Sequence, residues 1–201
     1  MSIPWPASQR CGLAPAPGGL ALVQDFLNTK GSDGYSADLL ADRELAADWV
    51  VSAVREWSAL RGAATAPPQL NEGDPAKLRS LRGAIGRLLA GEPVSARVTG
   101  SVSASFALSD TGTVRLDPSG SGWRWLASAL WGEVLLSQRD DTWRRLKQCH
   151  NHHCQTAFYD RSKNNSGVWH DVKTCGNAAN LRASRARRRE RNRAATSAIS
   201  P

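Results

Sequence analysis

Apolar residues recur at spacings of three and four along four stretches of the chain, a spacing that places side chains on one face of an α-helix. The pattern predicts helices over residues 19–28, 38–62, 75–90 and 123–137. Gly31 and Gly62 follow the first two helices, and glycine is a residue that commonly ends a helix. For the third helix, Asp74 is predicted as the N-cap and Pro75 as the first helical residue.

Alternation of apolar and polar residues, the pattern of a strand with one buried face, lies between the third and fourth helices. It predicts strands over 94–103, 104–109 and 113–117, with 110–112 as a hairpin turn. Residues 158–169 are predicted to form a second hairpin around an Asn-Asn-Ser-Gly turn. The chain is therefore predicted to be an α+β protein with a mostly helical N-terminal domain, a small β-hairpin element and a small C-terminal unit.

Charge separates the C-terminal part from the rest. The chain has a net charge of +8, and residues 142–201 contain 13 lysines and arginines against three acidic residues. The first 141 residues therefore carry a net charge of −2. A near-neutral body followed by a basic segment suits an acidic polymer as partner, most often nucleic acid. The alternative is a solvated tail that contributes only to solubility.

The composition is that of a protein with a substantial core. The chain has 201 residues, of which 41% are hydrophobic and eight are tryptophan. No stretch reaches the roughly 18 consecutive apolar residues of a membrane helix, and the N-terminus lacks the basic start and apolar run of a secretion signal. A cytoplasmic protein without a membrane span is expected, and its cysteines should be reduced.

Three cysteines and a histidine lie within 27 residues of the C-terminal part: Cys149, Cys154, His170 and Cys175. This is the ligand set of a closed tetrahedral Zn²⁺ site, and reduced cysteines clustered with a histidine favour a metal over a disulfide. The segment from Cys149 to Cys154 is predicted to form a knuckle whose backbone amides bond to the thiolates. Cys175 is predicted at the start of a helix with Asn177 as its N-cap, which completes a treble-clef-like zinc finger.

Alternatives to this zinc site remain open on the sequence alone. His150, His152 and His153 compete with His170 as the fourth ligand. Two further alternatives to a structural zinc site are that the cysteines bind no metal and are plain structural residues, or that they bind a catalytic zinc ion. A catalytic zinc ion normally keeps one coordination position open. Cys11 lies far away along the chain and is predicted to be a free thiol.

An arginine-rich helix is predicted directly after the last cysteine. Between Arg182 and Arg193 it has no apolar side chain larger than alanine, so it is predicted to order fully only on a polyanion. Contacts between its cations and phosphates would release counterions and make binding strongly salt-dependent. The candidate nucleic-acid-binding residues are Lys173, Arg182, Arg185, Arg187, Arg188, Arg189, Arg191 and Arg193.

The Cys-x4-Cys pair, the Asp-x-Ser-Lys-Asn stretch from Asp160, Trp169 and the Cys-Gly-Asn sequence before the basic helix resemble the CGNR zinc finger. Upstream, residues 20–29 and 38–42 resemble the ABATE domain, which accompanies this finger in stress-induced transcription regulators. The resemblance implies that Cys149, Cys154, His170 and Cys175 hold zinc. Two positions depart from the family pattern, which has cysteine in place of His170 and arginine in place of Ala178.

These observations predict an irregular segment over 1–18, an ABATE-like domain over 19–141, a CGNR-like finger with its basic helix over 142–195, and a disordered tail over 196–201. The leading hypothesis is a DNA-binding transcription regulator whose N-terminal domain senses a small molecule or forms a homodimer. Asp25, Asn28 and Thr29 are candidate effector contacts, since polar groups there end an otherwise apolar helix. The alternative is that Asn28 and Thr29 merely cap and turn the chain.

A different class of function is also compatible with the sequence. The histidines beside the metal ligands, together with the departures at His170 and Ala178, are compatible with a zinc protein that binds a small molecule or catalyses a reaction. No nucleophile–base pair, phosphate loop or carboxylate pair is evident in the first 140 residues. A regulator rather than an enzyme is therefore the favoured hypothesis.

Overall fold

The computed structural model of the chain describes residues 4–31, 36–95, 101–151 and 153–197, and in the last helix it leaves out the side chains of 183, 186, 190 and 192–197. The helices are Pro6–Gln9 (α1), Leu20–Asn28 (α2), Arg43–Arg61 (α3), Asp74–Leu89 (α4), Gly122–Arg139 (α5) and Asn177–Ser197 (α6). The strands are Ala104–Leu108 (β1), Val114–Pro118 (β2), Leu146–Gln148 (β3) and Ala157–Tyr159 (β4). The predicted α+β class is confirmed. Among the described residues, no helix combines the length and the hydropathy that a membrane span requires.

The core of the body forms around α2, which packs against α1, α3, α4, α5 and β4. This short helix is apolar around most of its circumference, the pattern of a helix enclosed on all sides. The rings of Phe26 and Trp49 lie 5.6 Å apart between α2 and α3, and Trp57 of α3 meets the edge of Trp125 of α5 at 6.0 Å. Each large buried side chain of this kind contributes about 1.5–3 kcal/mol of burial free energy.

A capping side chain and a glycine explain where α3 begins and ends. The apolar pattern predicts a helix from residue 38, but the Asp42 carboxylate accepts a 2.8 Å hydrogen bond from the backbone N–H of Leu45 and the helix begins at Arg43. The extended backbone of Asp42 is the usual conformation of an N-cap. Gly62 ends the helix as predicted, with a φ of 62° that glycine adopts without a steric cost.

Asp74 does not cap α4, contrary to the prediction. It is the first residue of the helix, and Gly73 occupies the N-cap position. The Asp74 carboxylate instead accepts hydrogen bonds from the backbone N–H groups of Asn71, at 2.9 Å, and Trp123, at 3.3 Å. This side chain therefore joins the beginnings of α4 and α5, a contact that a local pattern does not reveal.

Strands β1 and β2 form the predicted antiparallel hairpin, with Phe106 opposite Leu116 and Leu108 opposite Val114. The strand predicted over 94–103 does not form in residues 94–95 and 101–103, and residues 96–100 lie outside the described part of the chain. Of the tail predicted to be disordered, residues 196 and 197 are the end of α6, and residues 198–201 lie outside the description.

The second predicted hairpin, over 158–169, is wrong. Strand β4 pairs backwards with β3, so that Leu146 lies opposite Tyr159 and Gln148 opposite Ala157. After Tyr159 the chain wraps around the Asp160 carboxylate instead of pairing with itself, because that carboxylate accepts hydrogen bonds from backbone N–H groups farther along the loop. The hairpin that β3 and β4 form thus flanks the knuckle that carries Cys149 and Cys154.

Candidate metal centre

Four potential metal-ligating atoms meet at the tip of the β3–β4 hairpin. They belong to Cys149, Cys154, His170 and Cys175 and all lie within 4.8 Å of one another. The Nδ1 atom of His170 lies 3.3 Å from the sulfur of Cys154 and 3.6 Å from that of Cys175. Zinc–sulfur bonds of about 2.3 Å and zinc–nitrogen bonds of about 2.0 Å place tetrahedral ligands about 3.5 Å apart. The cluster fits a zinc ion in both donor set and spacing.

His150 and His153 are not part of this cluster, although both flank the knuckle. The ring of His150 instead meets the edge of Trp169, with 6.0 Å between the ring centroids. His152, the third alternative ligand of the sequence analysis, lies outside the described residues. Within the described part of the chain, the histidine that the structure brings to the cysteines is His170.

The knuckle holds Cys149 and Cys154 through backbone hydrogen bonds. The N–H of Cys149 donates to the carbonyl of Thr156 at 2.9 Å, and the N–H of Cys154 donates to that of Asn151 at 2.8 Å. Burial raises the pKa of the Cys149 thiol to about 12, and the backbone N–H groups of His170 and Asn151 oppose this shift by favouring the thiolate. A bound zinc ion requires the thiolate and supplies the positive charge that stabilises it there.

The loop that delivers His170 is organised by the buried carboxylate of Asp160. It accepts hydrogen bonds from Lys147 Nζ at 2.7 Å and from the backbone N–H groups of Ser162, at 2.8 Å, and Gly167, at 2.6 Å. Although burial opposes ionisation, these donors hold the pKa of Asp160 well below its usual range. Sequence reasoning missed this role, but Asp160 followed by Ser162 is the spacing of an Asx turn and could have revealed it.

Cys175 lies on a π-helical turn, Val172–Gly176, that leads into α6. Asp171 caps this turn, because its carboxylate accepts hydrogen bonds from the backbone N–H groups of Lys173, at 2.7 Å, and Thr174, at 3.3 Å. These two hydrogen bonds lower the pKa of Asp171. The predicted N-cap, Asn177, is already the first residue of α6. The helix therefore begins from a capped turn that carries the last ligand.

The body and the metal-binding hairpin are joined by Asn28 at the end of α2. Its side-chain amide donates to the carbonyl of Ala157 at 2.9 Å and accepts from the Ala157 N–H at 2.8 Å. The Asn28 side chain thus bonds to the backbone N–H and carbonyl on the outer edge of β4, as a neighbouring strand would. Leu146 of β3 completes the attachment by packing into the hydrophobic core of the body.

The hypothesis that Asp25, Asn28 and Thr29 contact an effector is not supported, because all three are buried and bonded to protein groups. Asp25 accepts from the backbone N–H of Ser8 at 2.7 Å and from the indole of Trp49 at 2.8 Å, and burial raises its pKa. The Thr29 hydroxyl donates to the carbonyl of residue 26 at 2.6 Å. Asp25 thus joins α2 to α1 and α3, and the Thr29 hydroxyl bonds to the end of its own helix.

Comparison with known families places these features in two family models. A model described as "Putative stress-induced transcription regulator" (ABATE) matches residues 20–153, two thirds of the chain, and a model of the CGNR zinc finger matches residues 145–188. The chain belongs to the ABATE family. It also carries a CGNR finger, as the resemblance seen in the sequence implies. A search of curated proteins found no match.

In the CGNR finger, the first arginine of α6 is bonded to the knuckle. Arg182 donates to the side-chain oxygen of Asn151 at 2.7 Å, and the amide nitrogen of Asn151 lies 3.3 Å from the sulfur of Cys175. The family pattern has arginine at the position of Ala178. Arg182 lies one helical turn beyond that position. Asn151 therefore connects the metal centre to the basic helix through a side chain that sequence reasoning did not single out.

The remaining candidate nucleic-acid contacts have a different environment. The side chains of Lys173, Arg185, Arg187, Arg188, Arg189 and Arg191 are exposed, and the side chain of Arg193 lies outside the description. Helix α6 packs mainly against the π-helical turn before it. Among the candidate nucleic-acid-binding residues whose side chains are described, Arg182 is thus the one with a hydrogen-bond partner in the knuckle.

We expect Arg182→Ala to loosen the CGNR finger, whereas Arg188→Ala should not, because only the first change removes a hydrogen bond to the knuckle. A charged hydrogen bond of this kind contributes about 1.5–3 kcal/mol when well shielded, and less at an exposed site such as this one. The measurement is the rate of zinc transfer to a chromogenic chelator. Equal rates for the two variants would mean that the Arg182–Asn151 contact does not stabilise the finger.

Proposed function

We propose that this ABATE protein is a transcription regulator that binds DNA through the basic helix of its CGNR finger. The observation that carries the proposal is a row of exposed arginines on α6, a helix that starts directly at the metal centre. The family description, "Putative stress-induced transcription regulator", supports the same class of function. The net charge of +10 over residues 142–201 gives the helix an acidic polymer as its natural partner.

The chemistry of α6 favours phosphate over a protein surface. Arg185, Arg188 and Arg189 offer planar guanidinium groups that match phosphate oxygens in bidentate geometry. Between residues 182 and 193 the sequence has seven arginines and no apolar side chain larger than alanine, so the helix lacks a hydrophobic stripe with which to bind a folded partner. A helix about 10–12 Å wide with its side chains also fits the major groove of B-DNA, which is about 12 Å wide.

The metal has a structural role in this proposal. Four protein donors converge in the cluster, which fills a tetrahedral site, whereas a catalytic zinc ion keeps one position open for water or substrate. The geometry therefore gives no support to the alternative of a zinc enzyme. Zinc holds the knuckle, the Asp160 loop and the π-helical turn together, and in this way fixes the point from which α6 leaves the finger. The body would regulate this DNA contact, through a small molecule or through dimerisation.

The test is fluorescence anisotropy with labelled duplex DNA over a series of salt concentrations. The full chain is expected to bind with a log–log salt slope of about −4 or steeper, because each phosphate contact contributes about −0.9. A chain that ends at Leu181 should lose this binding while the body stays folded. Retained affinity in the truncated chain, or no binding of the full chain at low salt, would contradict the proposal.

A matched set of charge changes separates α6 from the general charge of the protein. The triple variant Arg185→Gln, Arg188→Gln, Arg189→Gln is expected to make the slope shallower by about 2 to 3. The control is a triple variant of exposed cations on the body, Arg55→Gln, Lys77→Gln and Arg139→Gln. The same slope in both variants would mean that DNA does not contact α6 preferentially.

A further inference from the structure

The β1–β2 hairpin has one wholly apolar face. Cross-strand partners point to the same side of a sheet, and alternate residues point to opposite sides. The register therefore places one set of six residues on a single face: Ala104, Phe106, Leu108, Val114, Leu116 and Pro118. The opposite face carries Ser105, Ala107, Arg115 and Asp117. We call the first set, together with Leu135 of α5, the hairpin face.

Most of the hairpin face is open to solvent. The exposed fractions are 79% for Phe106, 74% for Leu108, 63% for Val114 and 60% for Leu135. Single exposed apolar side chains are common, but neighbouring ones of this size mark a surface that contacts another molecule. Phe106 lies directly opposite Leu116 in the sheet, at the point where the hairpin meets α5.

An apolar cavity of about 500 Å³ lies between the hairpin and α5, and its wall includes the cross-strand partner of Phe106. Its walls include Leu88, Val102, Leu116, Trp131 and Leu135. The hydroxyl of Ser128, which also borders the cavity, is already engaged, because it donates to the carbonyl of residue 103 at 2.6 Å and accepts from the N–H of residue 119 at 3.1 Å. Apart from the buried indole N–H of Trp131, which has no hydrogen-bond partner among the described residues, the walls are mostly apolar. The cavity therefore suits a largely apolar group such as an aromatic ring.

We propose that the hairpin face is the interface of a homodimer in which each Phe106 side chain enters the cavity of the other copy. The protruding ring and the cavity are neighbours on the same face, since Leu116 is both the cross-strand partner of Phe106 and a wall of the cavity. A two-fold rotation about an axis between ring and cavity places each ring in the opposite cavity. A surface that carries both the knob and its socket is self-complementary, as an isologous dimer requires.

The size of the face agrees with a second copy as the occupant. Burying the four exposed side chains and the cavity walls would remove on the order of 500 Å² per copy, or about 1,000 Å² in total. This area is near the lower limit for a specific dimer, about 1,000–1,200 Å². The six hairpin residues of the face are uncharged, so no like charges meet among them at the contact.

This inference deepens the part of the proposed function that gives the body a role in dimerisation. It does not depend on DNA binding, because the interface lies on the ABATE body and the basic residues lie on α6. A monomer that binds DNA would overturn the dimer and leave the proposed function intact. A dimer that does not bind DNA would do the reverse.

The test is sedimentation equilibrium of the full chain at concentrations up to about 200 μM, in the absence of DNA. The monomer has a mass of 21.7 kDa, so the dimer is expected at about 43 kDa. Phe106→Asp should raise the dimer dissociation constant at least tenfold. The control is Leu60→Asp on α3, an exposed leucine outside the hairpin face, which should leave the constant unchanged.

A second pair of variants distinguishes a knob in a cavity from non-specific apolar association. Ala104→Trp adds a large side chain at an exposed strand position that borders the cavity, and should fill it. Ser105→Trp adds the same side chain on the opposite face of β1. The proposal expects dissociation of the dimer in the first variant only. A monomeric native chain at all concentrations, or a dimer that persists with Phe106→Asp or Ala104→Trp, would overturn it.

Discussion

Replacing His170 with alanine is expected to remove most of the zinc from the purified chain, whereas replacing it with cysteine should leave about one ion per chain bound. His170 Nδ1 lies 3.3 and 3.6 Å from two of the three sulfurs, so alanine deletes one of four donors. Structural zinc in finger peptides contributes apparent binding energies of about 10–16 kcal/mol, and losing one donor should weaken binding at least about 100-fold. Cysteine supplies the donor that the family pattern has at this position.

The measurement is metal content by mass spectrometry after dialysis against a weak chelator. His150→Ala and His153→Ala are the matched controls, because both residues flank the knuckle without joining the cluster. Both controls should retain zinc. If His150→Ala lost the ion and His170→Ala kept it, the fourth ligand would have been assigned to the wrong histidine.

Asn28→Ala is expected to destabilise the folded chain by about 2–5 kcal/mol, since it leaves a buried N–H and a buried carbonyl at Ala157 without their partner. Both residues are almost fully buried, with 4% and 2% exposure, so water cannot replace the lost hydrogen bonds. Urea unfolding followed by tryptophan fluorescence measures the change. The finger should also undock from the body, which a faster loss of zinc to a chelator would report.

Lys30→Ala is the control for this prediction. Lys30 also bridges the body and the finger, through a 2.8 Å hydrogen bond to the side chain of Gln155, but the contact is exposed. Its loss should cost less than about 0.5 kcal/mol. An Asn28→Ala variant as stable as Lys30→Ala would mean that the amide bonds to β4 contribute little to docking.

Local patterns were sufficient to locate α2 and α5 and the helix end that a glycine determines. The stripe of apolar residues located α2 and α5 almost to the residue, and Gly62 was the correct end of α3. The predicted start of α3 and the predicted 158–169 hairpin were wrong for local reasons, the Asp42 cap and the Asp160 loop. Two other roles were not predicted because the partners lie far away in the sequence. Asp74 bonds to Trp123, and Asn28 bonds to a residue 129 positions later. A polar residue at a helix end gives no sign of whether it caps the helix or crosses to another element.

At the metal site, the ligands could be predicted from the sequence and the residues that support them could not. The spacing of the cysteines and histidine identified four residues that the fold brings within 4.8 Å of one another. The supporting residues Lys147, Asn151 and Asp160 were missed, because a lysine, an asparagine and an aspartate are common in any polar loop. Strands β3 and β4 have only three residues each, too few to give an alternating pattern, so their pairing could not be predicted.

Strand β3 joins the two modules and thereby limits how they can be exchanged between family members. The two family models overlap over residues 145–153, the segment in which Leu146 packs into the core of the ABATE body while Cys149 lies at the metal centre. A finger exchanged between family members would bring its own residue at position 146 into a foreign core. A chimaera made at this boundary is therefore expected to fold only when β3 and the end of α2 are transferred together.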